Sequence, residues 1–145
     1  MDSKLFTFPI GYHRFHSKQL YNFQLNRCHS LGYLSYDDLK TAGEKIRKFD
    51  DWKPVMLELA DSKLNTVKYI EAEFFYRAAE FYTLYGQGDK ELLYNKFIDL
   101  FYSYMPLKGV HVDKVPYNES FLHVLKMPDK TGTKKGTVLI HIGFD

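Results

Sequence analysis

Three groups of residues in this chain are of types that do chemistry. Cys28 and His29 are neighbours, and a thiol beside an imidazole is the pairing that makes a thiolate nucleophile. On a helix, adjacent side chains diverge by about 100°, so the two do not face each other and structural roles are expected for both. His13 and His16 are three apart, ahead of the first helix start and without clustered acids. A metal site wants three or four ligands, so neither a metal nor another cofactor is expected there. Glu71, Glu73 and Glu80, with Tyr76 and Arg77, form the most polar patch. Within it, Glu73 and Arg77 have the i,i+4 spacing of an ion pair on a helix surface. Tyr82, Tyr85 and Tyr94 can supply either hydroxyls or packing, and packing is expected. Gly-x-Ser-x-Gly, the sharp turn that presents a serine nucleophile, occurs nowhere in the sequence.

The elements that must position these residues follow from spacing. Ser17 is expected to cap a first helix with Leu20, Phe23, Arg27 and Leu31 on one side and Gly32 as its stop. Ser35, followed by Asp37 and Asp38, opens a second, whose inward face is Leu39, Ala42, Ile46 and Phe49. Asp50 and Asp51 ahead of Trp52 and Pro54 start a third, with Val55, Met56 and Leu59 inward. Asn65 is expected to cap the fourth. Its apolar residues Val67, Ile70, Phe74, Ala78, Phe81 and Tyr85 fall at steps of 3, 4, 4, 3 and 4, and Gly86 closes it. Asp89 starts a fifth, carrying Leu93, Phe97, Leu100, Phe101 and Tyr104 to Pro106. The last two helices form an antiparallel hairpin. A repeat near 34 residues, as in a helical solenoid, has no convincing second copy here.

After about Leu107 the period changes from helical to alternating. Val110–Tyr117 and Ser120–Met127 are expected as strands joined at Asn118-Glu119, with Phe121, His123, Leu125 and Met127 on a half-buried face. A loop with Lys130, Lys134 and Lys135 follows. Thr137-Val138-Leu139-Ile140 is apolar on both faces, as in a strand covered on both sides by helices, so a third strand is expected there. Its neighbours would have to come from beyond Asp145, which makes the chain look cut, and its open edge predicts self-association. The fold class is therefore α+β, with about five helices over residues 1–107 and three strands over 108–145.

Composition narrows the function classes. The 145 residues carry 20 basic and 18 acidic groups, a balance with no phosphate-tracking stripe, so nucleic acid is not an expected partner. Twelve Tyr and twelve Phe point to bulky packing between helices. The single cysteine permits no internal disulfide, no apolar run is long enough for a signal peptide or a membrane span, and a cytoplasmic protein is expected.

Several stretches resemble a known family. Phe8-Pro9-Ile10-Gly11, His16, Asn22–Arg27, Ser30–Tyr33, Phe74–Phe81, Asp89–Tyr94, Val115-Pro116-Tyr117 and Gly136–Asp145 are similar to bacterial α/β-hydrolases with a helical N-terminal cap segment. These are the acylaminoacyl-peptidase-like or dipeptidyl-peptidase-like serine hydrolases. The resemblance covers the chain but only the front third or so of such an enzyme. It implies that the three strands open an α/β-hydrolase sheet and that the serine, acid and histidine of the triad lie beyond Asp145. The intact parent would hydrolyse a small-molecule or peptide ester or amide through an acyl-serine. It also implies that the turn after the third strand gives one oxyanion N–H, from Gly143 or Phe144, although Ile142 stands where relatives have Gly. Tyr76 and Arg77 become candidates for the wall of a substrate pocket. The alternative is a free-standing helical interaction module whose C-terminal strands pair with a partner.

Overall fold

The structure, a computed structural model, describes residues 11–86, 88–105, 109–128, 132–133 and 136–140. The chain divides into two compact units, Met1–Met105 and Pro106–Asp145. The first contains α1 (Gln19–Ser30), α2 (Tyr36–Lys45), α3 (Trp52–Asn65), α4 (Tyr69–Phe81) and α5 (Lys90–Tyr104). The second contains β1 (His111–Tyr117) and β2 (Ser120–Lys126). No helix of the described residues is long and apolar enough to cross a membrane.

Residues 13–16 form a strap laid over α1 and α2 before the first helix begins. The Ser17 cap expected for α1 is not made: Lys18 is the N-cap, without a side-chain cap bond. Two buried amides of α1 hold the strap instead. Asn22 Oδ1 accepts from the N–H groups of Phe15 at 2.8 Å and His16 at 3.0 Å. Asn26 accepts from the His13 N–H at 2.7 Å and donates to the His13 carbonyl at 2.9 Å. His16 Nε2 lies 2.9 Å from the Ile46 carbonyl while its Nδ1 accepts from the Lys18 N–H at 2.8 Å, so the Nε2–H tautomer fits. Tyr21, Asn22, Leu25 and Asn26 are accordingly the inward face of α1, and the expected Leu20, Phe23 and Leu31 are exposed. The polar residues won this face because the strap's backbone needs partners.

α2 begins as expected, the Ser35 hydroxyl accepting from the Asp38 N–H at 3.1 Å, and Leu39, Ala42 and Ile46 are buried while Phe49 is exposed. A short 3-10 turn, Phe49–Asp51, leads into α3, and Asp51 Oδ2 accepts from the N–H groups of Arg47 and Lys48. α3 runs through Asn65, so this residue ends one helix rather than capping the next. The link to α4 passes Val67 in the left-handed region, φ 60°, a conformation unfavourable for a β-branched residue. The stripe expected to face inward on α4 is largely outside: Val67 is not in the helix, and Phe81 and Tyr85 are exposed. Of that stripe Ala78 is buried, and the rest of the buried face is Ala72, Phe75, Tyr76 and Ala79, with Glu73 and Glu80. Small residues let α4 lie close to α3 and α5, against which it packs.

The end of α4 is closed from three directions. A helix leaves its last four carbonyls without intrahelical donors. Here the buried Trp52 indole N–H donates to the Ala78 carbonyl at 2.8 Å, and the Thr83 hydroxyl to that of Ala79 at 3.0 Å. The Glu80 carbonyl receives the Thr83 N–H at 2.9 Å and the Lys90 ammonium at 3.2 Å.

In the second unit β1 and β2 form an antiparallel two-stranded ribbon, with Val115 opposite Leu122 and Val112 opposite Leu125. Asn118 turns the chain at φ 51°, which its side chain tolerates. The expected third strand is absent: Thr137–Ile140 is irregular, and Val138, Leu139 and Ile140 are 85%, 87% and 83% exposed. A strand exists only through a ladder partner, and among the described residues β1 and β2 pair only with each other. The three-stranded start of a hydrolase sheet is therefore not what this chain forms. Nor is one face of β2 half-buried, since Phe121, Leu125 and the following Met127 are exposed.

Two predictions follow from this packing. A Cβ on Gly43 would sit 2.0 Å from the Phe15 carbonyl oxygen, where the strap crosses α2. Gly43→Ala, which in an open helix stabilises by about 1 kcal/mol, should here destabilise by roughly 2 kcal/mol or more in urea unfolding. A neutral or stabilising result would mean that the strap does not lie on α2.

Glu73 is fully buried, and among the described residues neither carboxylate oxygen has a hydrogen-bond partner. Tyr69 stacks on Tyr104, and Lys90 pairs with Glu80 at 2.6 Å, so the stretch of α4 that contains Glu73 runs alongside α5. Burial raises its carboxyl from 4.5 to about 7. The folded value lies above the unfolded one, so Glu73 opposes folding increasingly from about pH 4.5 to 7 and by a constant amount above. Glu73→Gln should therefore gain on the wild type by on the order of 2–3 kcal/mol between pH 4.5 and 7.5. A pH-independent difference would show that Glu73 is solvated.

Candidate functional site

The helical unit contains a cleft of about 230 Å³ bounded by α1, α3 and α4. From α1 come Gln24, Arg27, Cys28 and Ser30, and from its C-cap Leu31. Trp52, at the start of α3, lines the cleft while its N–H is spent on Ala78. From α4 come Phe74, Arg77, Ala78 and Phe81. The closed end of α4 thus fixes the last three of these in place.

Phe81 is central to the site's electrostatics. The Arg27 guanidinium carbon lies 5.8 Å from its ring centroid and the Arg77 carbon 5.8 Å from the same centroid. Arg27 also lies 5.9 Å from the Phe23 ring and Arg77 5.9 Å from Phe97. A guanidinium at this distance from a ring face is attracted by the ring's quadrupole. Arg77 further pairs with Glu80, which also holds Lys90 at 2.6 Å. The ion pair expected between Glu73 and Arg77 is not made; Arg77 reaches one turn forward, and Glu73 is left inside.

The sequence candidates separate. Arg77 stands on the cleft wall. Tyr76 is buried in the core, 1% exposed, and its hydroxyl donates to Asp61 of α3; burial first, then the bond to Asp61 and its charge, raise the phenol above its ordinary range. Gly143 and Phe144 lie outside the described residues, as do Lys130, Lys134 and Lys135. Cys28 and His29 part as helix geometry requires: Cys28 lines the cleft, whereas His29 joins a ring cluster with His13 at 4.8 Å. Tyr36 and Phe15 complete that cluster. Burial and the neighbouring His13 lower the His29 pKa. Among the described residues no group of three or more His, Cys, Asp or Glu is placed to hold a metal ion. Arg27, Trp52 and Phe81 were not picked out as site residues from sequence. A signal was present in Arg27, a cation at helical spacing within an otherwise apolar stripe.

The cleft has no acid–base pair. Its lining includes two hydroxyl or thiol groups, Ser30 and Cys28, but no imidazole and no carboxylate. The Ser30 hydroxyl donates to the Arg27 carbonyl at 2.8 Å. Burial pushes the Cys28 thiol from 9.0 to about 11, against the pull of Arg27 and Arg77. Within this lining no side chain stands as a base for the thiol or the hydroxyl.

Compared with known proteins, the chain matches no protein-family model, no curated sequence and no solved structure.

A thiol held at about 11 has about one-hundredth of the thiolate it would have at 9.0. Alkylation of Cys28 by iodoacetamide at neutral pH should be slower by about that factor in the folded chain than in urea. Equal rates would place Cys28 in solvent.

Proposed function

We propose that this chain is a ligand-holding helical segment of a serine hydrolase that acts on small-molecule or peptide esters or amides, and that it carries none of the groups that break the bond. The observation that carries the reading is the cleft itself: an apolar chamber with Arg77 and Arg27 on its wall and no base beside its hydroxyl and thiol. The resemblance of Phe74–Phe81 and the other quoted stretches to capped α/β-hydrolases supplies the reaction class, and the absence of Gly-x-Ser-x-Gly agrees with a non-catalytic share in it. The substrate's reacting carbonyl would then meet a nucleophile supplied from outside these helices. The lone cysteine, a half-buried free thiol, supports the cytoplasm as the compartment.

A second reading is favoured by the ribbon. Val112, Val115, Phe121, Leu122 and Leu125 are exposed on its two faces, and among the described residues neither outer edge is paired. A strand of a partner, or of a second copy, could add to such an edge, making the chain an interaction module.

Incubation of the chain with a fluorophosphonate probe separates these from a complete enzyme. No serine should be labelled, and p-nitrophenyl acetate should turn over no faster than with the urea-unfolded chain. Stoichiometric labelling of any serine would sink both readings.

A further inference from the structure

We infer that the outer edge of β2 binds β2 of a second copy of this chain, antiparallel and centred on His123. Two ribbons then join into one four-stranded sheet, a dimer that rests on the reading of the ribbon as an interaction module. Register decides which edge is competent. Tyr117 and Ser120 flank a two-residue turn, so they exchange both backbone hydrogen bonds, as do the alternate pairs Val115–Leu122, Asp113–Val124 and His111–Lys126. The backbone groups of Val112, Lys114 and Pro116 in β1, and of Phe121, His123 and Leu125 in β2, therefore point outward. Proline has no N–H, so β1 lacks a donor at Pro116, and Lys114 would meet its own copy at the centre of a β1–β1 pair. β2 has neither obstacle, and among the described residues its outer edge is unpaired.

The sequence of β2 selects the occupant, because the strand is complementary to itself. It runs Ser120–Lys126, so full overlap with a second β2 places His123 on the two-fold axis. Phe121 then faces Leu125 of the second copy, Leu122 faces Val124 of the second copy, and each outward N–H meets an outward carbonyl. Centring on Val124 would instead set Leu122 against Lys126, and centring on Leu122 would set Phe121 against His123. The one formal charge of the strand, Lys126, faces the neutral Ser120 across the axis, with acidic Glu119 the next residue along, so charge favours the pairing. Phe121, Leu122 and Leu125 are 42%, 54% and 50% exposed in the lone ribbon, and two strands with open faces are marginal in water. Seven residues a side hide less than the ~1,200 Å² of a stable complex, so the dimer is weak, with a Kd on the order of 0.1 mM.

Sedimentation velocity of the full chain, up to about 1 mM, should show a monomer–dimer equilibrium. His123→Pro removes an outward donor without touching a bond inside the ribbon, as Pro116 does in β1, and should weaken the dimer about tenfold or more. Lys114→Pro should leave it within about twofold. In a Cys28→Ser background, diamide should link His123→Cys chains as disulfide dimers, since facing Cα atoms at such a pair lie about 5.5 Å apart. Leu125→Cys should stay unlinked, its two copies being roughly 14 Å apart in this register. Linking of Leu125→Cys but not of His123→Cys would overturn the register, and a monomer throughout would overturn the second copy as occupant. Loss of the dimer with Lys114→Pro alone would overturn the choice of β2. A dimer that neither proline weakens would overturn strand addition at either edge, the reading on which the dimer rests.

Discussion

The hydrogen bond from the Trp52 indole to the Ala78 carbonyl is the contact on which the helical unit turns. A helix end leaves carbonyls that must be satisfied, and a buried indole N–H must find an acceptor. Each here answers the other at 2.8 Å. The bond joins the first residue of α3 to the last turn of α4, so it sets how far α4 can slide along α3. Thr83 and Lys90 complete the closure and bring the chain into α5. Because Arg77, Ala78 and Phe81 belong to that last turn, the geometry of the cleft depends on the same closure.

A second constraint holds the strap on α1 and is polar in character. Asn22 and Asn26 are buried, yet their amides are engaged by the strap's backbone, with Asn26 also donating to the Asn22 carbonyl at 2.8 Å. Buried polar groups that are fully paired specify one arrangement, because any shift leaves an amide unsatisfied. Gly43 adds a steric condition, since only a residue without Cβ lets the Phe15 carbonyl come so near α2. Glu73 is the counterexample within the same unit, a carboxylate taken inside without compensation and held nearer neutrality by that burial.

The helices were legible in the sequence because their caps and spacings are local: Ser35 with Asp38, and the steps of 3 and 4 through Leu39, Ala42 and Ile46. The faces of α1 and α4 were less so. Reading weight from large apolar residues selected Phe23, Phe81 and Tyr85. The structure instead buries Asn22, Asn26, Ala72 and Ala79, whose value depends on what lies opposite them. Thr137–Ile140 misled for a related reason: an apolar run says that burial would be favourable, whereas strand formation needs a neighbour that local sequence does not display. Of the site, Arg77 was visible through its polar patch. Arg27 and Trp52 were hidden, because the cleft arises from elements far apart in sequence.

Trp52 has one more consequence, an optical one. It is the only tryptophan among 145 residues, buried to 1% and forming a wall of the cleft. Tyr21 stacks on it at 6.2 Å and Tyr82 meets it edge-on at 5.0 Å. Tyr21 and Tyr82 can pass excitation to this one indole, whose emission wavelength reports the polarity around a single known point. The molecule therefore carries a native chromophore at the joint between α3 and α4, where occupation of the cleft and loosening of the helices both leave a spectral mark.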